Sequence, residues 1–307
     1  MKAIEMSNLV RSLEIRSDDT TAPGVPNRIG HGATGRALFA ASWERVLMIH
    51  FAVRADALQR DVPFPLDLLD GEAFVTLVLF TMSRFRPAFG GRLTAWLTAP
   101  MATHEFFNVR TYVRVADEIG IHFLAEWVSN RLATALGPLT FSLPYRHGRF
   151  ARRDAANDLS GSVTDAETGR EFAYRAKLLE AHSQIPRGTV SNRTAALSTC
   201  EVGSPTHWLM ERYTAFNSAG GRQRFFRVWH EPWRQCSAEV SITNSALVER
   251  HWSWFSDAHF IGANYSPGVR EVRLGWPCRI RSRALNPVKP PSSRRRIREH
   301  GAQPAAR

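Results

Sequence analysis

The residues best placed to do chemistry stand in the stretch 104–114, where Asn108, Arg110, Tyr112 and Arg114 alternate with Phe107, Val109, Thr111 and Val113. In extended backbone, successive side chains point to opposite faces. An amide, a guanidinium and a phenol therefore share one side of a strand, and hydrocarbon covers the other. Two placements satisfy that pattern. The polar row faces water on an exposed sheet, or it lines an enclosed hollow, where those three groups together suit a carboxylate or phosphate. Further candidates are scattered along the chain. Arg84 and Arg86 fall on one face near the end of a preceding strand, and Glu126 lies in the strand opposite Arg110, where it could pair with it. Arg212 ends a later helix within Glu211-Arg212-Tyr213. His230, in His230-Glu231-Pro232-Trp233, could furnish a base, although a lone imidazole serves structure equally well.

The elements that must carry these groups are mostly strands. Residues 46–53 form a compact apolar, β-branched run, and 73–85 reads as a second long strand. Between them 55–62 makes one or two helical turns, stopped by Pro63-Phe64-Pro65 because proline removes a donor and restricts its predecessor. Residues 106–115 and 121–128 form a hairpin, and 159–164 with 170–178 form another. Asn130 caps a short helix to Leu136, ended by Gly137 and Pro138; Ser204-Pro205 opens a helix over 206–212. Late strands are expected at 224–230, 238–243, 260–265 and 269–274, the last two flanking Ser266-Pro267-Gly268. Many strands with few short helices predict a mainly β fold, an antiparallel sheet closed or nearly closed into a barrel wide enough to hold a small ligand.

Composition narrows the function classes. The 307 residues are 44% hydrophobic and 22% charged, near the globular average. The longest apolar run, 73–80, is broken by Thr76 and is far shorter than the roughly 20 residues of a membrane helix. No apolar stretch follows the first residues, so neither a signal peptide nor a membrane location is expected. Cys200, Cys236 and Cys278 have neither metal spacing nor an even framework, which fits a reduced cytoplasm. The 11 histidines form no metal-site pattern, so no metal is expected. No cofactor is expected either, since there is no phosphate-binding glycine loop, dinucleotide fingerprint or nucleophile elbow. Residues 1–35 read as a flexible leader, 36–284 as one domain and 285–307 as a disordered basic tail. The net charge of +12 is partly concentrated in that tail, and a solvated tail is the simpler reading than a nucleic-acid arm. Only three lysines occur, Lys2, Lys177 and Lys289, so a mechanism needing an amine has few places to go.

Taken in order, Trp43 to Phe51, the connection from Pro65-Leu66 to Asp70-Gly71, Phe107 to Val113, Leu143-Pro144-Tyr145, Glu211-Arg212-Tyr213, His230 to Trp233 and Tyr265 to Val269 resemble the YqjF-like bacterial family (domain of unknown function 2071), grouped with the acetoacetate decarboxylase-like superfamily. The resemblance covers residues 41–279. It implies a cone-shaped antiparallel β-barrel with a central polar cavity, and no established reaction. Decarboxylases of the superfamily use a Schiff-base lysine in a glycine-phenylalanine-proline-lysine-lysine motif. The matching place here is Ser142-Leu143-Pro144-Tyr145-Arg146, where tyrosine stands in the nucleophile's position and cannot form an imine. Ala125-Glu126-Trp127 also departs from the family's leucine-aspartate-alanine type of segment.

Three functions follow as expectations. In the first, a barrel pocket binds a small anionic or carbonyl-bearing molecule through Asn108, Arg110 and Tyr112, assisted by Arg86 and Arg212. In the second, a lysine-independent lyase or hydratase acts on a small keto acid, with Glu126 as base and Tyr145 as acid. In the third, the basic tail makes an interaction or nucleic-acid-binding protein. Homo-oligomerisation is compatible with each.

Overall fold

The computed structural model describes residues 36–179 and 197–280. The expected leader and basic tail, with Lys2 and Lys289, lie outside the described residues. The strands are β1 (Ala37–Val53), β2 (Ala73–Pro87), β3 (His104–Val115), β4 (Glu118–Val128), β5 (Tyr145–Ala155), β6 (Asp158–Asp165), β7 (Glu171–Leu178), β8 (Ser198–Thr199), β9 (Thr214–Ala219), β10 (Arg222–Trp229), β11 (Arg234–Asn244), β12 (His259–Gly275) and β13 (Cys278–Arg279). The helices are α1 (Ala55–Leu58), α2 (Arg92–Ala95), α3 (Arg131–Phe141), α4 (Pro205–Met210) and α5 (Ala246–His251), all short. No helix among the described residues is long and apolar enough to cross a membrane.

Strands β12, β1, β2, β3 and β4 pair in that order, all antiparallel, into one wall. The wall closes twice. Through β9 and β10 it returns from β4 to β12 and completes a ring of strands. Through β5, β6, β7 and β11 it returns to β12 again and completes a second. β4 pairs in parallel with both β5 and β9, so the sheet is mixed where a wholly antiparallel one was expected. A ring of paired strands leaves no free edge along its circuit.

Side-chain alternation sorts the shared wall into two faces. Leu47, Ile49, Phe51, Val75, Leu77, Leu79, Phe107, Val109 and Trp127 pack with Leu159, Val163, Phe172 and Ala176 of β6 and β7. Val46, Met48, Val78, Phe80, Phe106, Tyr112 and Val128 pack with Ala215, Phe226 and Val228 of β9 and β10. The wall strands are buried on both sides and read as continuous apolar runs; the few polar residues in those runs are thereby informative.

Three local expectations are revised. α3 does not stop at Leu136. Asn130 accepts a hydrogen bond from the Ala133 amide as its cap, but the helix runs on through Gly137 and Pro138 to Phe141, ending at Ser142 in the left-handed region (φ 58°). Gly137 is required there by packing, since a Cβ would lie 2.2 Å from the Tyr145 ring. Residues 260–265 and 269–274 are one strand, β12, with no turn at Ser266-Pro267-Gly268. That segment instead pairs with β1, Glu44 with Gly268 and Val46 with Ser266, beside the bulge that Arg45 (φ 55°) makes against β2, and Gly268 (φ 119°) lies so close that a Cβ would sit 1.9 Å from the Trp43 carbonyl oxygen. β5 escaped notice because Arg149, Ala151 and Arg153 face solvent along a strand of mixed polarity.

Candidate functional site

The face of the wall turned to the first ring carries two lateral rows. Met48, Val78, Asn108, Glu126 and Tyr145 are successive cross-strand partners from β1 to β5, and His50, Thr76, Arg110 and Phe123 form the adjacent row. Neighbours in such rows share a face within side-chain reach. Asn108, Arg110 and Tyr112 accordingly lie buried together on the inner face with the Val46 and Phe226 cluster, not in water.

Arg110 is held loosely. Its Nη2 reaches the Met48 sulfur at 3.6 Å and the Leu209 carbonyl at 3.4 Å, its buried Nε has no partner, and it makes no ion pair among the described residues. Arg212 is held firmly at one end and open at the other. Its Nε donates to the Trp208 carbonyl (2.9 Å), and its guanidinium lies 4.2 Å from the Trp208 ring and 5.2 Å from that of Tyr112. Cation–π contacts of this kind contribute about 0.5–2 kcal/mol. Its Nη1 stands 3.2 Å from Asp67 Oδ2 without the alignment of a hydrogen bond, and neither Nη has a hydrogen-bond acceptor. Asp67 is shared with Arg114, whose Nε and Nη2 both donate to Oδ1 (3.1 and 2.7 Å). Two guanidinium groups, those of Arg114 and Arg212, thus share one carboxylate. Burial lowers the Arg212 pKa from its ordinary value, and the charge of Arg110 adds to that.

A hydrogen-bonded chain fixes the wall beneath them. Asn264 donates from Nδ2 to Gln235 Oε1 (2.7 Å), and its Oδ1 lies 3.1 Å from His50 Nε2. His50 Nδ1 is 2.9 Å from the Thr76 hydroxyl, which is 2.6 Å from that of Tyr112, and Tyr112 donates to the Leu209 carbonyl (2.8 Å). Burial, with Arg110 beside it, drives the His50 pKa down to about 3, so the imidazole is neutral at physiological pH. His50 and Thr76 were missed as site residues. The signal available was a lone polar residue inside each of two apolar runs, in positions that pair across β1 and β2.

Glu126 and Tyr145 are adjacent, as cross-strand partners of β4 and β5. Glu126 is buried, its Oε2 has no hydrogen-bond partner, and burial pushes its pKa well above the usual carboxylate range. Tyr145 packs edge-on to Phe106 and is pushed up by burial and then by Glu126. Its other side borders an open groove of about 660 Å³, lined by Arg131, Pro144, Arg146, His147 and Glu167 among others.

Some expected partners are not brought together. Glu126 does not pair with Arg110: a bulge between Val109 and Arg110 sets Glu126 opposite Asn108 and Arg110 opposite Phe123. Arg86 does not reach the interior. It is partly exposed and its Nη2 binds both carboxylate oxygens of Glu271, while Arg84, at φ 52°, turns to Glu44 at 3.5 Å. His230 is packed among Trp43, Tyr213 and Trp233, with Nδ1 2.7 Å from the Glu231 carbonyl oxygen, and burial lowers its pKa. Lys177 is exposed on β7.

The profile of DUF2071, described as "Uncharacterized conserved protein (COG2071)", matches residues 40–270. The chain is 26% identical over 212 residues to "Uncharacterized protein YqjF" of Bacillus subtilis (strain 168), covering 68% of this chain and 80% of that protein. Its fold is similar to that of an acetoacetate decarboxylase (TM-score 0.53, 12% identity, 80% of this chain and 90% of the other). It is also similar to an acetoacetate decarboxylase-like enzyme from Sphingomonas wittichii RW1 (0.53, 14%, 85% and 100%). A third similar structure is the enduracididine biosynthesis enzyme MppR complexed with pyruvate (0.51, 13%, 85% and 98%). At these identities the likeness is one of fold.

Proposed function

The chain belongs to the DUF2071 family, and from that membership and the geometry above we propose that its first ring binds a small carboxylate or carbonyl-bearing molecule between Arg110 and Arg212. The observation that carries this reading is the excess of buried cationic donors: neither Nη of Arg212 nor the Nε of Arg110 has a hydrogen-bond acceptor, and Arg110 makes no ion pair among the described residues. An uncompensated buried charge costs several kcal/mol, and an anionic guest offsets that cost. Arg212, packed against the touching rings of Trp208 and Tyr112, is the preorganised half of the clamp, and Arg110, with its weak contacts, is free to turn toward a guest. Asn108 and Tyr112 orient the guest. MppR, a protein of like fold, was seen with pyruvate, a small keto acid of this class.

Pyruvate and related keto acids should raise the Tm of the wild-type chain saturably. At a hundred times Kd the gain corresponds to about 2.7 kcal/mol. In Arg110→Met the gain should disappear at the same concentration. Stabilisation that survives loss of the guanidinium removes Arg110 from the anchoring role.

A second reading, turnover by a lysine-independent lyase or hydratase, is favoured by the adjacent Glu126 and Tyr145. The direction of the Glu126 shift reverses the role expected for it. Burial favours the protonated carboxyl, which suits Glu126 better to the proton donor's part in the pair than to the base's. The same shift has a stability signature. A folded-state pKa above the unfolded value gives a contribution present in full below about pH 4.5 and lost as pH rises through the folded pKa. Urea midpoints between pH 4 and 9 should therefore show wild type losing ground to Glu126→Gln as pH rises. Parallel curves would mean that Glu126 ionises normally.

A further inference from the structure

We propose that the second ring holds its own site for a small carboxylate, between the guanidinium of Arg152 and the hydroxyl of Tyr174. The two residues stand in one lateral row across β5, β6 and β7, with Gly161 between them as the cross-strand partner of both. The glycine makes the approach feasible: a Cβ there would lie 2.9 Å from the Tyr174 oxygen, so the phenol leans across the position where a side chain would stand. Tyr174 is 2% exposed and the Arg152 side chain 8%. Both Nη atoms of Arg152 and the Tyr174 hydroxyl are buried without a hydrogen-bond partner. Each charged or polar group left so carries a desolvation cost, and three in one place imply something that satisfies them.

The surroundings define that guest. Arg152 Nε already donates to Asp154 Oδ1 (3.0 Å), and Asp154 Oδ2 is taken by Arg45 (3.2 Å). Glu105 is occupied by Arg45 (2.8 Å) and Thr81 (2.9 Å). Both local carboxylates are committed, so neither can turn to the free end of Arg152. A guanidinium accepts no hydrogen bonds, so the guest must supply acceptors. Two parallel Nη donors match the two oxygens of a carboxylate, and the phenol can add a third donor. Arg45, Glu105 and Asp154 are each about a quarter or more exposed, which puts the partly open end of the site beside them. The site lies on the opposite face of the wall from Arg110, because Arg45, Thr81 and Glu105 alternate with Val46, Phe80 and Phe106.

Sodium formate, read against sodium chloride at equal ionic strength, is the probe. Formate should raise the Tm of the full chain, and Arg152→Met and Tyr174→Phe should each lose at least about half of that gain. A crystal grown at saturating formate should show it bidentate on Arg152. The Tyr174→Phe arm stands even where Arg152→Met folds poorly. A gain unchanged in both variants, or only ordered water on Arg152 and Tyr174 in the crystal, overturns the proposal. A gain lost in Arg110→Met alone also overturns it, while leaving the first-ring reading intact.

Discussion

Replacing Gly268 by alanine is expected to cost about 4 kcal/mol or more of stability, among the largest effects any single methyl could have in this chain. The Cβ would overlap the Trp43 carbonyl oxygen at 1.9 Å, and the Glu44 Cα is 2.8 Å away. Neither obstacle is the end of a flexible side chain; both are backbone in the middle of the most extensively paired strand. The backbone angle adds to this, since φ 119° is a region that L-residues rarely adopt. The close approach cannot relax locally either, because Trp43 pairs with Val269 and Val46 with Ser266 on either side of it. Equilibrium urea unfolding of Gly268→Ala, or its failure to appear in the soluble fraction, reads the effect. A midpoint near wild type would mean that β1 and β12 separate there at little cost.

Asp67→Ala should lose about 3–5 kcal/mol, the range found when one partner of a buried ion pair is removed. Asp67 is 3% exposed, and its oxygens face Arg212 on one side and Arg114 on the other. Without it Arg110 and Arg212 repel one another in a poorly solvated interior, while Arg114, half exposed, can turn to water. Removing the charge of Arg212 as well, in Asp67→Ala/Arg212→Met, should be less damaging than Asp67→Ala alone even though one more residue has changed. Strictly additive losses would show that the Asp67 carboxylate is not coupled to Arg212.

The hairpins of the wall were legible because hydrophobic alternation and turn residues spoke together. Residues 106–115 and 121–128 pair much as their pattern requires, and Asn108, Arg110 and Tyr112 share a face as period two dictates. What escaped was whatever depends on partners distant in sequence. Ser266-Pro267-Gly268 has the chemistry of a turn and is used instead to pass a neighbouring strand, which no local window reveals. Glu126 was expected to pair with Arg110 because the two stand on neighbouring strands, but the register set by the turn would place it opposite Phe107, and one bulge moves it to Asn108. Arg86 was legible as a strand-end cation and illegible as the partner of Glu271, 185 positions away. His50 and Asp67 looked like an interrupted apolar run and a loop acid. The pairing of β1, β2 and β3 brings the first into the row of Arg110, and the return of the chain after α4 brings Arg212 to the second.

The wall shared by the two rings makes strand register unusually unforgiving. Each of its strands serves a different chamber with alternate residues, so a slip of one position would not merely expose apolar groups to water. It would drive Asn108 and Arg110 into hydrocarbon among Phe172 and Val163, and turn Phe107 and Val109 toward the arginine clamp, spoiling both interiors at once. A party wall of this kind proofreads its own assembly: misaligned pairings are rejected from two sides, and a substitution made to tune one chamber must be acceptable to the other.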